Sequence, residues 1–134
     1  RAFYKGAVQD QGRTVFQGLI EVSPGAAKTD AYLSNANLIL SDGARADSIP
    51  SLRIDNNDVR CSHGSTTGRI NEEELFYLAS RGLDRSEARR MLVEGYFEEL
   101  VEQIGQSSPE AAAELQGRLA QRLAERPGRP EGGA

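Results

Sequence analysis

The chain has 134 residues, with 16 Lys and Arg, 20 Asp and Glu, one cysteine and one histidine. Its net charge of −4 argues against a nucleic-acid binder held by phosphate neutralisation, and no apolar run approaches the roughly 20 residues that cross a bilayer. A lone cysteine excludes an intrachain disulfide framework and fits a reducing compartment, with the cytoplasm as the expected location.

The first residue is Arg1 rather than Met, and RAFYKGAVQD holds no apolar core of the signal-peptide kind. A piece of a longer protein is therefore expected. Up to about residue 70 the sequence has the character of strands. RTVFQGLIEV alternates Val15, Gln17, Leu19 and Glu21 against Phe16, Gly18, Ile20 and Val22. Short apolar runs follow at Leu38-Ile39-Leu40, at Ile49 with Leu52 and Ile54, and at Val59. Between them stand turn formers: Ser23-Pro24-Gly25, Asn35-Ala36-Asn37, Asp42-Gly43 and Asp55-Asn56-Asn57-Asp58. The spacing predicts an all-β array. Periodicity leaves a sandwich and a parallel β-helix both open, and in a β-helix the first strand leaves an open edge.

After residue 70 the period changes. Asn71 with Glu74 is a capping pair, and Leu75, Phe76, Leu78 and Ala79 supply the apolar part of a short helix ending at Arg81-Gly82. Asp84 with Glu87 starts a long helix, with Ala88, Met91, Leu92, Gly95, Tyr96, Phe97, Leu100, Val101 and Ile104 on its apolar side. Glu94, Glu98 and Glu102 are expected to face outward. Ser108-Pro109 opens a third helix with the stripe Ala112, Leu115, Leu119 and Leu123. RPGRPEGGA is too poor in apolar residues to order itself and is expected to be a tail. The expected domains are thus 1–70 (β), 71–125 (helical) and 126–134 (disordered tail). Charge divides the same way, with a net of +1 over 1–70 and −5 over 71–134. An acidic helical part can steer a basic partner surface or simply be solvated.

The stretch VRCSHGSTTGRI holds the only cysteine, Cys61, and the only histidine, His63. On an extended strand, residues two apart share a face, so the thiol and imidazole project together. Such a pair can ligate iron, zinc or copper(I), but a closed tetrahedral site needs about four ligands. A complete internal metal site is not expected, while a site shared with a second polypeptide is compatible with the count. A buried inert cysteine and a structural histidine remain the competing reading. The Gly64-Ser65-Thr66-Thr67-Gly68 run lacks the lysine of a phosphate loop and is expected to be a polar turn, and Arg69 to pair with a carboxylate. No cluster of aspartates or aromatic platform points to a carbohydrate-active enzyme.

DVRCSHGSTTGRINEEELFYLASRGL closely resembles the C-terminal signature of the SufB/SufD family of the SUF iron–sulfur cluster assembly system. RAFYKGAVQDQGRTVFQGLIEV, Lys28-Thr29-Asp30, Asn37-Leu38-Ile39-Leu40 and Ile49-Pro50-Ser51-Leu52-Arg53-Ile54 resemble successive family segments, and the likeness covers about residues 1–104. SufB-type chains carry a cysteine where Ile54 stands and flank the histidine with glutamates, where Ser62 and Gly64 stand here. Both departures resemble the SufD branch. The resemblance implies the C-terminal coils of a right-handed parallel β-helix followed by a small helical domain. It implies a non-catalytic subunit that pairs with SufB and docks the SufC ATPase through its helices, with Phe76, Tyr77, Arg81, Tyr96 and Phe97 as candidate contacts. A homodimer in isolation is also expected, and no nucleic acid or membrane partner. It further implies that His63, with Cys61 beside it, takes part in iron supply or cluster assembly at the SufB interface, the iron or cluster being transient. Closure of two SufC subunits on ATP is expected to reshape that interface. Because ligation needs neutral imidazole and thiolate, loading should weaken as pH falls. The remaining alternatives are an inert interaction module and a SufB-type scaffold variant.

Overall fold

The computed structural model describes residues 1–125; the expected tail lies outside the described residues. The chain divides into two compact units, Arg1–Arg69 and the segment from Ile70 onward.

The first unit contains β1 (Ala2–Val8), β2 (Arg13–Val22), β3 (Asp30–Ile39), β4 (Arg45–Ile54) and β5 (Arg60–Arg69). They form two sheets, β1-β3-β5 and β2-β4, and every pairing is parallel. That is not the antiparallel pattern of a hairpin-linked sandwich. Ala2 pairs with Leu33, Arg13 with Arg45 and Asp30 with Arg60, so strands alternate between the sheets along the chain. The turns stack as well: Leu40 N donates to Val8 O, Arg45 N to Gly12 O, and Arg60 N to Thr29 O. Ser41 Oγ donates to Asp10 O at 3.2 Å. Asp10 and Lys28, with φ of 60° and 63°, turn the chain through the left-handed region.

The sheets face each other across a thin core. On β3 the inner positions are Leu33, Asn35, Asn37 and Ile39, all buried. On β2 they are Thr14, Phe16, Gly18, Ile20 and Val22, and a side chain at Gly18 would collide with Leu33. Val15, Leu19 and Ile49 lie on the outer face and are exposed. The expectation of a turn at Asn35-Ala36-Asn37 is corrected: these residues lie in the middle of β3. Asn37 Nδ2 donates to Asn35 Oδ1 at 2.7 Å and to Ser48 Oγ at 3.2 Å, and Ser48 Oγ donates to Asn35 Oδ1. Mutual pairing is what lets two amides occupy core positions. The Gly64–Gly68 run is corrected likewise. It is strand, because β3 supplies a pairing edge along its whole length.

The second unit has α1 (Glu72–Ser80), α2 (Arg85–Ser107) and α3 (Pro109–Glu125). Asn71 caps α1, its side chain accepting from Glu73 N at 2.9 Å, and Gly82 follows the helix at φ 99°. Asp84 and Glu87 form a reciprocal capping box at the start of α2. Ser108 Oγ accepts from Ala111 N at the start of α3. The core consists of Leu75, Ala88, Val93, Val101 and Ala112, with Leu115, Leu119 and Leu123 half-buried. Three assignments from periodicity change, the first being Gly95, which is exposed rather than on the apolar side. Met91 is exposed and Val93, nearly opposite it on the helix, is buried, because packing on α1 and α3 selects a different face. Glu94 is half-buried, whereas Glu98 and Glu102 are exposed.

Candidate functional site

Cys61 and His63 both belong to β5, which parallel pairing with β3 holds extended. Cys61 is the register partner of Ala31, and His63 of Leu33. Partners in a parallel ladder project on the same side, so the thiol and imidazole lie on the face that carries the Leu33 and Ile39 core. Yet His63 is exposed and Cys61 only half-buried. The reason is topological. Among the described residues β5 pairs on one side only, and the opposing sheet ends at β4. Leu52 and Ile54, the last inner positions of β4, are correspondingly 39% and 40% exposed. The pair therefore sits on core-type positions at an uncovered end of the stack.

Two features hold β5 in place. The turn leading into it is tied down by Lys28 N, which donates to Asp58 O at 2.5 Å, and by Asn56 Oδ1, which accepts from Asp58 N at 2.8 Å. At its far end the Arg69 guanidinium pairs with the Asp42 carboxylate at 2.6 Å, as the sequence suggested. Next to His63, Gly64 leaves room for the Tyr32 hydroxyl on the opposite face; a Cβ there would lie 2.9 Å from it.

No three His, Cys, Asp or Glu side chains come together to hold a metal ion among the described residues. The inner face of β5 continues past His63 with Ser65 and Thr67, beside Asn35 and Asn37. It offers one soft donor, one imidazole and hydroxyls, with an open backbone edge alongside.

The other candidates divide into two kinds. On α1, Phe76 is 76% exposed and Tyr77 is exposed with the Arg81 guanidinium 5.2 Å from its ring centroid. Tyr96 and Phe97 on α2 are half-buried and stack edge-on at 5.1 Å. Burial raises the Tyr96 phenol above its ordinary pKa. The first three side chains are exposed, Arg81 lying against the Tyr77 ring; the last two pack against each other. Residues that motif reading missed are Leu52 and Ile54 as site neighbours. The two-residue spacing of Leu52 and Ile54 on β4, which puts them on one face, was the available signal.

Residues 1–96 match the family model of the SUF system FeS cluster assembly SufBD core domain. The chain is 44% identical over 104 residues to the iron–sulfur cluster assembly protein SufD of Escherichia coli (strain K12), covering 78% of this chain and 25% of that protein. It is 43% identical over 109 residues to an iron–sulfur cluster assembly SufBD family protein of Mycobacterium tuberculosis (strain H37Rv), covering 75% and 28%. It is 34% identical over 99 residues to SufD of Bacillus subtilis (strain 168), covering 74% and 23%. The chain spans about a quarter of the length of these curated relatives. Among the described residues no helix is long and apolar enough to cross a membrane.

Proposed function

Because the chain belongs to the SufBD core family of the SUF iron–sulfur cluster assembly system, we propose that it is a SufD-like, non-catalytic assembly subunit acting in the cytoplasm. In this reading the two parallel sheets are successive faces of a right-handed β-helix, and β5 is its terminal strand on the working side. The alternation of β1, β3 and β5 with β2 and β4 supports that geometry. A SufB-type partner adds at the β5 edge, and two copies of this chain do the same in its absence.

The observation that carries the proposal is the position of His63 and Cys61: core-facing, two positions apart on one strand, with His63 exposed and Cys61 half-buried at the open end. A partner that covers this end places its own side chains opposite them. Cys61 Sγ and an imidazole nitrogen of His63 then supply part of a ligand set that the partner completes. Iron or a nascent cluster is the cargo of such a site, not a resident group. A divided ligand set holds it weakly enough to release, since parting the interface removes half the donors. Loading weakens on acidification, because protonated imidazole and thiol do not ligate.

The helical unit docks a SufC-type ATPase through Phe76, Tyr77 and Arg81, with the half-buried Tyr96–Phe97 pair on α2 as a further candidate contact. The exposure of the first two rings and the stacking of Arg81 on Tyr77 support this assignment. Nucleotide-driven movement of the ATPase subunits would reach the shared site through these helices.

The test is His63→Ala in the complete assembly. Cluster formation on the complex falls severalfold while assembly of the subunits is retained. Unchanged cluster yield would remove the chemical role and leave a pairing module only.

A further inference from the structure

The Asn35–Asn37–Ser48 cluster, its two amides buried and its hydroxyl half-buried, is more polar than its surroundings require, since Leu33 and Ile39 occupy the equivalent inner positions on either side. Its geometry is specific. Asn37 reaches along its own strand to Asn35 and across the core to Ser48 on β4, while Asn35 also accepts from Ser48. On the neighbouring strand, Asn37 is the register partner of Gly6. That neighbour has to be small: a Cβ at position 6 would lie 3.0 Å from Asn37 Oδ1.

Inside-outside alternation alone does not fix the register of these strands. A one-residue slip turns the core face outward and is forbidden, but a two-residue slip restores the alternation. The amides make the difference. Shifted by two along β1, Asn37 would meet Tyr4 or Val8 in place of Gly6. Shifted by two against β4, one of the amides would leave Ser48, which would then face Leu33 or Ile39. Buried amides without partners disfavour every such arrangement.

We infer that the Asn35–Asn37–Ser48 cluster, seated against Gly6, is the register key of the strand stack and thereby a positioning device for His63 and Cys61. β5 takes its register from β3, so a slip of β3 carries β5 with it. Two residues of slip displace the strand by roughly 6–7 Å. His63 would then no longer stand opposite the part of β4 that leads to Leu52 and Ile54. The claim concerns strand register alone and stands whether or not iron visits the site.

Crosslinking of cysteine pairs on the outer face of β1 and β3 reads the register directly, in the full chain with Cys61→Ala to remove the native thiol. Ala7 and Leu38 are native partners, whereas Ala7 and Ala36 come opposite each other only after a two-residue slip. Ala7→Cys with Leu38→Cys should crosslink, and Ala7→Cys with Ala36→Cys should not. Adding Asn35→Leu and Asn37→Leu should let the slipped pair crosslink as well. A folded double-leucine variant that still crosslinks only in the native register would overturn the proposal. If that variant does not fold, Ser48→Ala decides: slipped crosslinks in a folded chain support the key, and their absence overturns it.

Discussion

At Asp84 three donors converge on one carboxylate oxygen: the Ser86 hydroxyl at 2.6 Å, Ser86 N at 2.8 Å and Glu87 N at 3.0 Å. The Ser86 hydroxyl contributes most, followed by Glu87 N, and together they hold the carboxyl below its ordinary value of 3.8. A depressed folded-state pKa gives stability that is present above 3.8 and is lost as pH falls through the lower folded value. Circular dichroism over an acid titration should therefore show helix loss in that window, with a smaller pH dependence in Asp84→Asn. Identical acid limbs for the two proteins would contradict the assigned cap. Leu75 makes the corresponding point for packing. It is 1% exposed, and Leu75→Ala should destabilise the helical unit by about 2–5 kcal/mol. Urea denaturation followed at the helix signal measures it.

At the level of elements, the capping signals were legible because they are local. Asp84-x-x-Glu87, Gly82 and Ser108-Pro109 set helix ends at the positions where the structure has them. Asn71 does cap, although its bond goes to Glu73 N rather than forming a box with Glu74. The strands were only partly legible. β2 alternates cleanly, whereas β3 was obscured by its two asparagines and β5 by its glycines and hydroxyls. Their strand character comes from neighbours some thirty positions away in sequence, and no local propensity reports that. Met91 and Val93 show the same limit on a helix, since a broad apolar stripe does not say which edge is covered. Stacking of the turns is equally non-local and makes its own prediction. A Cβ at Gly43 would lie 2.7 Å from the backbone oxygen of Asp10 in the turn beneath. Gly43→Ala should cost roughly 1–3 kcal/mol through overpacking, seen as a lower melting temperature of the β unit. An unchanged transition would mean that the turns are not in register.

For the molecule as a whole, the two units carry different parts of the proposed role. The β unit ends in a strand whose core face is uncovered and bears both metal-competent side chains. The helical unit is acidic overall and presents Phe76 and Tyr77 to solvent. The pairing of Cys61 with His63 was visible in the sequence as a two-residue spacing. Their position at an open end was not, because it depends on how many strands each sheet contains. The central claim is that this end becomes an interface, and the chain's single cysteine reports on it without further engineering. The decisive measurement is the rate at which a small thiol reagent modifies Cys61, in this chain alone and with a SufB-type partner bound. Reaction in the free chain and severalfold protection in the complex are expected. Equal rates, or full protection already in the free chain, would contradict the claim.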